Sequence, residues 1–283
     1  ESSKSDIVTD IVDVRDKNSL NSLDNDTDLV ILLAAEHTDN VSPVSLYYDE
    51  NTSGAKNVLE VMEEKGIKNI LFTSTVAIYG LNKENPAENN PADPFNDYGK
   101  SKWEAEKLLR AWYENDPQQK SLYILRPTVV FGEKNRGNVF NLLKQIKSGK
   151  FMMIGSGNNK KSMSYIENIV AFIKFLIDQQ PVGYQVYNYA DTPDLTTMEL
   201  VNIIFDKINM SKKPKNIPYA IGYLGGLAFD ICAWITGKKF SVSRVRIQKF
   251  CATTQFSAEK VKKTGFIPPY SLKEGLQKTI EAV

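Results

Sequence analysis

The chain has 283 residues, of which 42% are apolar and 24% charged, and its formal net charge is +1. That composition suits a folded globular protein with a full core and room for two domains, and it excludes a disordered or fibrous chain. A net charge this small gives no bulk electrostatic reason to expect a nucleic-acid partner, and the two cysteines, Cys232 and Cys251, are too few for a disulfide framework and read as cytosolic thiols.

No cationic stretch followed by an apolar one opens the chain, so no signal peptide is expected. Ile7–Val14 alternates loosely like a strand and ends in Asp13-Val14-Arg15-Asp16, with no glycine-rich phosphate loop before it. Asp28–Ala35 is a continuous apolar run, as expected for a strand buried on both faces of a parallel sheet. A helix over Tyr47–Lys65 follows. Its stripe is Asn51, Gly54, Ala55, Val58, Leu59 and Met62, and Gly66 is placed to stop it. Ile67–Thr73 reads as the next strand and ends before the hydroxyl pair Ser74 and Thr75. A helix then carries Tyr98 and Lys102, with Ala105, Leu108, Leu109 and Trp112 on its buried stripe. Ser121–Leu125 is a further strand, closing in Arg126-Pro127.

This alternation argues for an α/β fold with a doubly wound parallel sheet, in which ligands sit beyond the carboxyl ends of strands. Residues 1–131 are expected to form a dinucleotide-binding domain. Residues 132–283 are expected to form mainly a smaller substrate lobe, with about 165–190 returning to the sheet. In that lobe a helix buries Val139, Leu142, Leu143 and Ile146 and stops at Gly149. Ile166–Ile177 is helical, Gln185–Tyr189 extended and Leu195–Asn209 helical, and Ser271-x-x-Glu274 is a capping box opening the last helix. Ile217–Ile235 is strongly apolar, but Pro218, Gly225-Gly226 and Asp230 spoil it as a membrane span. It reads either as a buried helix or as an interfacial one, with Lys238-Lys239 facing anionic headgroups.

The chemistry points to Thr75, Tyr98 and Lys102. Tyr98 and Lys102 lie four residues apart, one helical turn, so they share a face. A neighbouring ammonium and a helix N-terminus both favour phenolate, which would let Tyr98 exchange a proton with an alcohol near neutral pH. Thr75 could hydrogen-bond the same oxygen. Asn51, an amide on an apolar stripe, is either a satisfied buried amide or a contact beneath a cofactor. His37, the only histidine, sits past a strand end. No His, Cys, Asp or Glu cluster has metal-ligand spacing, so no metal is expected. Lys134, Arg136, Lys160, Lys161, Arg244 and Arg246 are solvated surface by default, and one or two of them could meet a diphosphate.

Taken together these motifs resemble the extended short-chain dehydrogenase/reductase family of NAD-dependent sugar epimerases and dehydratases. Asp13-Val14 is similar to its adenine-contacting pair and Leu33-Ala34-Ala35 to its strand-end cofactor motif. Asn51, Gly54 and Asn57-Val58-Leu59 are similar to its N-x-x-G-x-x-N-V-L helix. Thr75 stands at the catalytic Ser/Thr position, five before Gly80. Tyr98 and Lys102 match Y-x-x-x-K, and Arg126-Pro127 with Phe131-Gly132 match R-P-x-x-x-[YF]-G.

The resemblance implies NAD as cofactor, held by Asp13, Val14, Leu33, Ala34, Ala35, Asn51, Thr73, Tyr98, Lys102, Pro127 and Val129. It implies substrate contacts at Thr75, Val76, Asn138, Lys161 and Arg246. Family members open with a strand, a G-x-x-G-x-x-G turn and a helix. That turn does not occur in this sequence, so the chain is read as incomplete by roughly 30–45 residues, about one βαβ unit. Val76-Ala77 stands where related 4,6-dehydratases carry Asp-Glu, which favours epimerase or ketoreductase over dehydratase.

The implied activity is a 4-epimerase interconverting N-acetylhexosamines on a diphosphate carrier for bacterial surface polysaccharides. The carrier would be undecaprenyl or, alternatively, soluble UDP. A one-way 4-ketoreductase and a non-catalytic binding protein stay open. A homodimer and a cytoplasmic location, peripheral at the membrane through 217–239, are implied with it.

Overall fold

A computed structural model describes residues 10–38, 41–81, 83–149, 151–179, 183–210, 214–237 and 243–283. The strands in chain order are β1 Val30–Leu32, β2 Asn69–Thr73, β3 Ser121–Pro127, β4 Val129–Phe131, β5 Met152–Ile154, β6 Lys160–Tyr165, β7 Tyr184–Tyr189, β8 Asp191–Thr196 and β9 Lys215–Ile217. The helices are α1 Ser45–Tyr48, α2 Gly54–Lys65, α3 Asp97–Glu114, α4 Asn138–Lys147, α5 Ile166–Gln179, α6 Thr197–Lys207, α7 Tyr219–Thr236, α8 Arg244–Cys251, α9 Glu259–Lys263 and α10 Leu272–Glu281. Contacts divide the chain into one unit of Glu1–Leu81, Pro91–Arg126 and Gln180–Tyr187, and another of Asn82–Asn90, Pro127–Gln179 and Asn188–Val283. The division at Arg126–Pro127 falls ahead of the position-131 boundary read from the sequence. Of the 165–190 stretch, α5 groups with the second unit and the start of β7 with the first.

The first unit holds a sheet in the order β1-β2-β3-β7. β1 runs parallel to β2, with Ile31 opposite Leu71, and β2 runs parallel to β3, with Leu71 opposite Tyr123. Ile70, Phe72, Leu122 and Ile124 bury one continuous apolar layer with Val58, Met62, Ala105 and Leu109 from α2 and α3. At about 25 cal/mol per Å² of apolar surface removed from water, layers of this kind supply most of the drive to fold. The stripe anticipated on the second helix is buried in full, and Gly66 ends α2 in the left-handed conformation, φ 73°. Between α1 and α2 the backbone widens into a π-turn, Asp49–Ser53, which carries Asn51.

Two expectations are corrected. The apolar run Asp28–Ala35 yields only a three-residue strand, because β1 is the edge of the described sheet and Ile31 is exposed. Residues 10–14 form no strand: Ile11 is fully exposed, and Ile7 lies outside the described residues.

The second unit holds the sheet β4-β6-β8, with β6 parallel to β4 and antiparallel to β8, and the parallel pair β5-β9. Its core gathers Phe131, Leu143, Ile146, Met153, Val201 and Leu276. The capping box at Ser271 and Glu274 is formed, and a second one at Thr196 and Glu199 starts α6. The helix anticipated over Leu195–Asn209 is shortened because its first residues belong to β8.

Candidate active site

The site grows from the end of β2. Past Thr73 the chain stays paired to β3, since Ser74 N donates to Leu125 O at 2.7 Å. Thr75 is then extended, and its hydroxyl accepts from Ala77 N at 3.1 Å, capping a single turn Val76–Tyr79. The turn leaves through Gly80 at φ 79°. A Cβ there would stand 2.1 Å from the Asp93 carbonyl, so no other residue fits that crossing. Thr75 and Val76 are held buried by this geometry.

Asn96 caps α3, its side chain accepting from Gly99 N at 2.9 Å, and this sets Tyr98 in the first turn. Tyr98 is partly exposed, and its ring lies 6.4 Å from that of Tyr47. Burial pushes the phenol above its ordinary pKa, and a hydrogen bond with the Thr75 hydroxyl opposes that push. One turn on, Lys102 is only 1% exposed, and its ammonium lies 4.2 Å from the centre of the Phe72 ring. Desolvation pulls Lys102 down to about 7, with Glu106 and Glu50 resisting. The phenolate-favouring effect expected of Lys102 on Tyr98 is therefore not what prevails. Both groups are governed first by burial, which disfavours the charged form of each.

Asn51 is fully buried and donates from Nδ2 to Glu36 O at 3.0 Å and to Ser101 Oγ at 2.9 Å. Ser101 Oγ in turn donates to Tyr98 O at 2.9 Å, and Thr52 Oγ1 donates to Ser101 O at 3.0 Å. The π-turn is thus pinned to α3 through Ser101, for which the sequence carries no separate signal. Three buried atoms here find no hydrogen-bond partner among the described residues: Asn51 Oδ1, Thr73 Oγ1 and Ser74 Oγ. Buried polar atoms are normally paired. Two hydroxyls left open at the carboxyl end of β2, and an amide oxygen left open on a side chain bonded to Glu36 past the end of β1, fit a hydroxyl-rich ligand such as a dinucleotide's ribose. Ser74 was the missed member, although its place beside Thr75 was a signal for it.

Behind Lys102 lies a second missed feature. Fully buried Glu106 accepts from Arg126 Nε at 2.9 Å and Nη2 at 2.6 Å, and from Arg110 Nη2 at 2.9 Å, while Arg126 Nη1 donates to Tyr79 OH at 2.6 Å. Burial works against the Arg126 charge, but its bonds to Glu106 and Tyr79 outweigh that and hold it above its ordinary pKa. The four-residue step from Tyr98 to Lys102 continues to Glu106, which was legible as spacing.

The remaining cofactor positions are dispersed. The Asp13 carboxylate is gripped by Arg15 through side-chain and backbone hydrogen bonds of 2.6–3.1 Å, which lower it to about 2. Together with Asp16, Asp49 and Ser53 these two line an open hollow of about 490 Å³. Val14 packs beneath Gly54, where a Cβ would meet it at 2.7 Å. Leu33 is exposed past the end of β1, followed by Ala34 and Ala35, whose carbonyl lies 3.3 Å from His37 Nδ1.

Pro127 and Val129 belong to the second unit, as do the substrate positions Asn138, Lys161 and Arg246. Asn138 is exposed at the start of α4, and Arg246 is exposed on α8. The Lys161 ammonium donates to Lys249 O at 2.9 Å and Ala252 O at 2.6 Å, and desolvation pulls it down to about 8. Backbone carbonyls hold it, where the sequence alone suggests a solvated surface lysine. Among the described residues no group of three His, Cys, Asp or Glu side chains could hold a metal ion.

A model of the NAD dependent epimerase/dehydratase family matches residues 3–190. The chain is 57% identical over 274 residues to the N-acetyl-alpha-D-glucosaminyl-diphospho-ditrans,octacis-undecaprenol 4-epimerase of Escherichia coli O157:H7, covering 97% of this chain and 83% of that protein. It is 30% identical over 246 residues to a UDP-glucose 4-epimerase of Vibrio cholerae, covering 85% and 70% respectively. The solved structure of UDP-glucuronic acid 4-epimerase from Bacillus cereus in complex with NAD shares its fold, with a TM-score of 0.72 over 94% of this chain and 76% of that one at 17% identity. The matched span contains Thr75, Tyr98 and Lys102, and the chain belongs to the NAD dependent epimerase/dehydratase family.

Proposed function

We propose that this protein is an NAD-dependent 4-epimerase that interconverts N-acetylglucosamine and N-acetylgalactosamine on a diphosphate carrier, undecaprenyl diphosphate. The chemistry rests on one observation: the Thr75 hydroxyl acts on the phenol of half-buried Tyr98, and Lys102 lies buried one turn along the same helix. The choice of carrier rests on the 57% identity to an enzyme named for that lipid-linked sugar.

In this reading Tyr98 moves the proton at the sugar 4-oxygen, and the Thr75 hydroxyl holds the same oxygen as it gains carbonyl character. Lys102 binds a ribose hydroxyl of the dinucleotide and, while charged, eases ionisation of the phenol. Asn51, Thr73 and Ser74 offer their open oxygens to the same ligand. Asp13, ionised at neutral pH, suits a ribose hydroxyl pair. NAD, when bound, supplies reversible hydride acceptance, and the chain supplies placement and proton handling. Val76, Asn138, Lys161 and Arg246 are proposed substrate contacts. Because a polyprenyl chain stays in the bilayer, the enzyme works at the inner membrane surface. It is also proposed to form a homodimer.

The test is to incubate full-length protein and NAD with lipid-linked and UDP-linked N-acetylglucosamine and to identify the products. Conversion of the lipid-linked sugar is expected, and conversion of the UDP sugar alone would remove the lipid carrier from the reading. Tyr98→Phe is expected to abolish turnover with unchanged circular dichroism. Near-normal turnover in that variant would end the proposal.

A further inference from the structure

Helix α7 is eighteen residues long, and only Gly222 and Gly226 on it are buried. The stripe Gly222, Gly226, Asp230 and Ala233 faces protein. A Cβ on Gly222 would stand 2.5 Å from Ile154 Cγ2. One on Gly226 would stand 2.8 Å from Arg244 N and 2.7 Å from Ile247 Cδ1. Asp230 accepts from Arg244 N at 3.1 Å and so starts α8 against the middle of α7. The opposite stripe is open: Ile221 is 61% exposed, Leu224 63%, Ile235 69%, and Trp234 beside it 86%. A core helix does not look like this. It is, among the described residues, the helix whose length and composition would allow a membrane span. Yet it is fastened along one side by close backbone approaches, and spanning would tear these open.

The charge around it is one-sided. Among the described residues of 214–251, Lys215, Arg244, Arg246 and Lys249 stand against one acidic residue, Asp230, a net +3, while the whole chain is only +1. Lys215, Arg244, Arg246 and Lys249 are exposed, and Lys212, Lys213, Lys238 and Lys239 lie outside the described residues. A second copy docking through this face would set its Lys215, Arg244, Arg246 and Lys249 against the same cations, +3 against +3. An anionic lipid surface is the complementary occupant: apolar side chains enter the acyl boundary while lysines and arginines meet headgroups.

We infer that the α7–α8 hairpin is an in-plane anchor that lays the Ile221, Leu224 and Ile235 stripe and Trp234 into an anionic bilayer leaflet without crossing it. The inference deepens the lipid-carrier reading and takes its purpose from it, but its test needs no substrate.

Full-length protein is mixed with vesicles of phosphatidylglycerol and phosphatidylcholine, or of phosphatidylcholine alone, containing no polyprenyl lipid. Co-sedimentation is expected with the anionic vesicles and much less with the neutral ones. Trp234 emission, taken as the difference from a Trp234→Phe variant, is expected to shift to the blue. Lys215→Gln and Arg244→Gln should each weaken anionic-vesicle binding about fivefold at low salt. Ile221→Asn with Leu224→Asn should remove binding at any salt. If that pair also unfolds the helix, the two charge variants and the Trp234 shift still decide. Absence of binding to anionic vesicles, a Trp234 emission that does not move, or equal binding by the variants overturns the anchor. So does light scattering in which the Ile221/Leu224 variant turns a dimer into a monomer. Failure here leaves the 4-epimerase reading standing. Vesicle binding combined with turnover of the UDP sugar alone would do the reverse.

Discussion

Lys102 carries an ammonium into a nearly closed pocket against an aromatic ring, where no described residue gives it an ion pair or hydrogen bond. Its ordinary pKa of 10.5 falls to about 7, so between those values the unfolded chain holds a proton that the folded chain has released. Stability therefore rises with pH through that window, and it falls as pH drops from 10.5 through about 7. Lys102→Met removes the term. Melting curves of cofactor-free protein at pH 7, 8 and 9 are expected to show a higher Tm for the variant at pH 7, by roughly 2–4 °C for each kcal/mol regained. The difference should shrink toward pH 10, and turnover should be lost. A parent and variant with parallel Tm-against-pH curves would contradict this account. The trade is of the kind functional sites make, with local stability given up to keep a reactive group undersolvated.

Among elements, the link that matters most runs from α3 to β3. Arg126 at the strand end is clamped to Glu106 on the helix, and Glu106 also holds Arg110. Both partners of the central pair are fully buried, so taking one away leaves the other charge short of solvent. Arg126→Leu is expected to cost about 3–5 kcal/mol, read as a lowered urea midpoint with unchanged m. Combining it with Glu106→Leu should recover much of that cost, because an apolar pair leaves no stranded charge. A double variant as unstable as the single one would show that the network acts through packing instead. The same clamp backs the helix turn that carries Lys102, so the site's geometry and the unit's stability share these bonds.

At the scale of the whole molecule, charge and apolar surface are unevenly spread, with the exposed cations Lys215, Arg244, Arg246 and Lys249 lying in the same stretch, 214–251, as the exposed apolar stripe of α7. Exposed apolar patches on a folded chain invite association in water. The full-length protein is expected to need detergent or lipid to stay dispersed at high concentration. Ile221→Asn with Leu224→Asn should relieve that need while shifting unfolding free energy by no more than about 0.5 kcal/mol, the usual range for surface changes. Static light scattering over a concentration series checks the first, and urea titration the second.

Much of this was legible in residue order. The apolar period of 3.6 marked the buried stripe on α2 and α3, the four-residue step paired Tyr98 with Lys102, and Gly66 and the Ser271 box marked helix ends. These are local signals, set by which side chains share a face, and they do not depend on what covers that face. What only the tertiary structure decided is the covering. β5 and β9 are short and find each other across more than fifty residues, and Leu195 and Thr196, helical by periodicity, end strand β8 instead. Glu106 and Arg126 met through the fold, and the apolar run at 217–235 proved outward-facing on one side and glycine-packed on the other. Burial also sets the direction at both Tyr98 and Lys102, against the phenolate expected at Tyr98, because desolvation depends on the atoms gathered around a charge and a sequence does not record them.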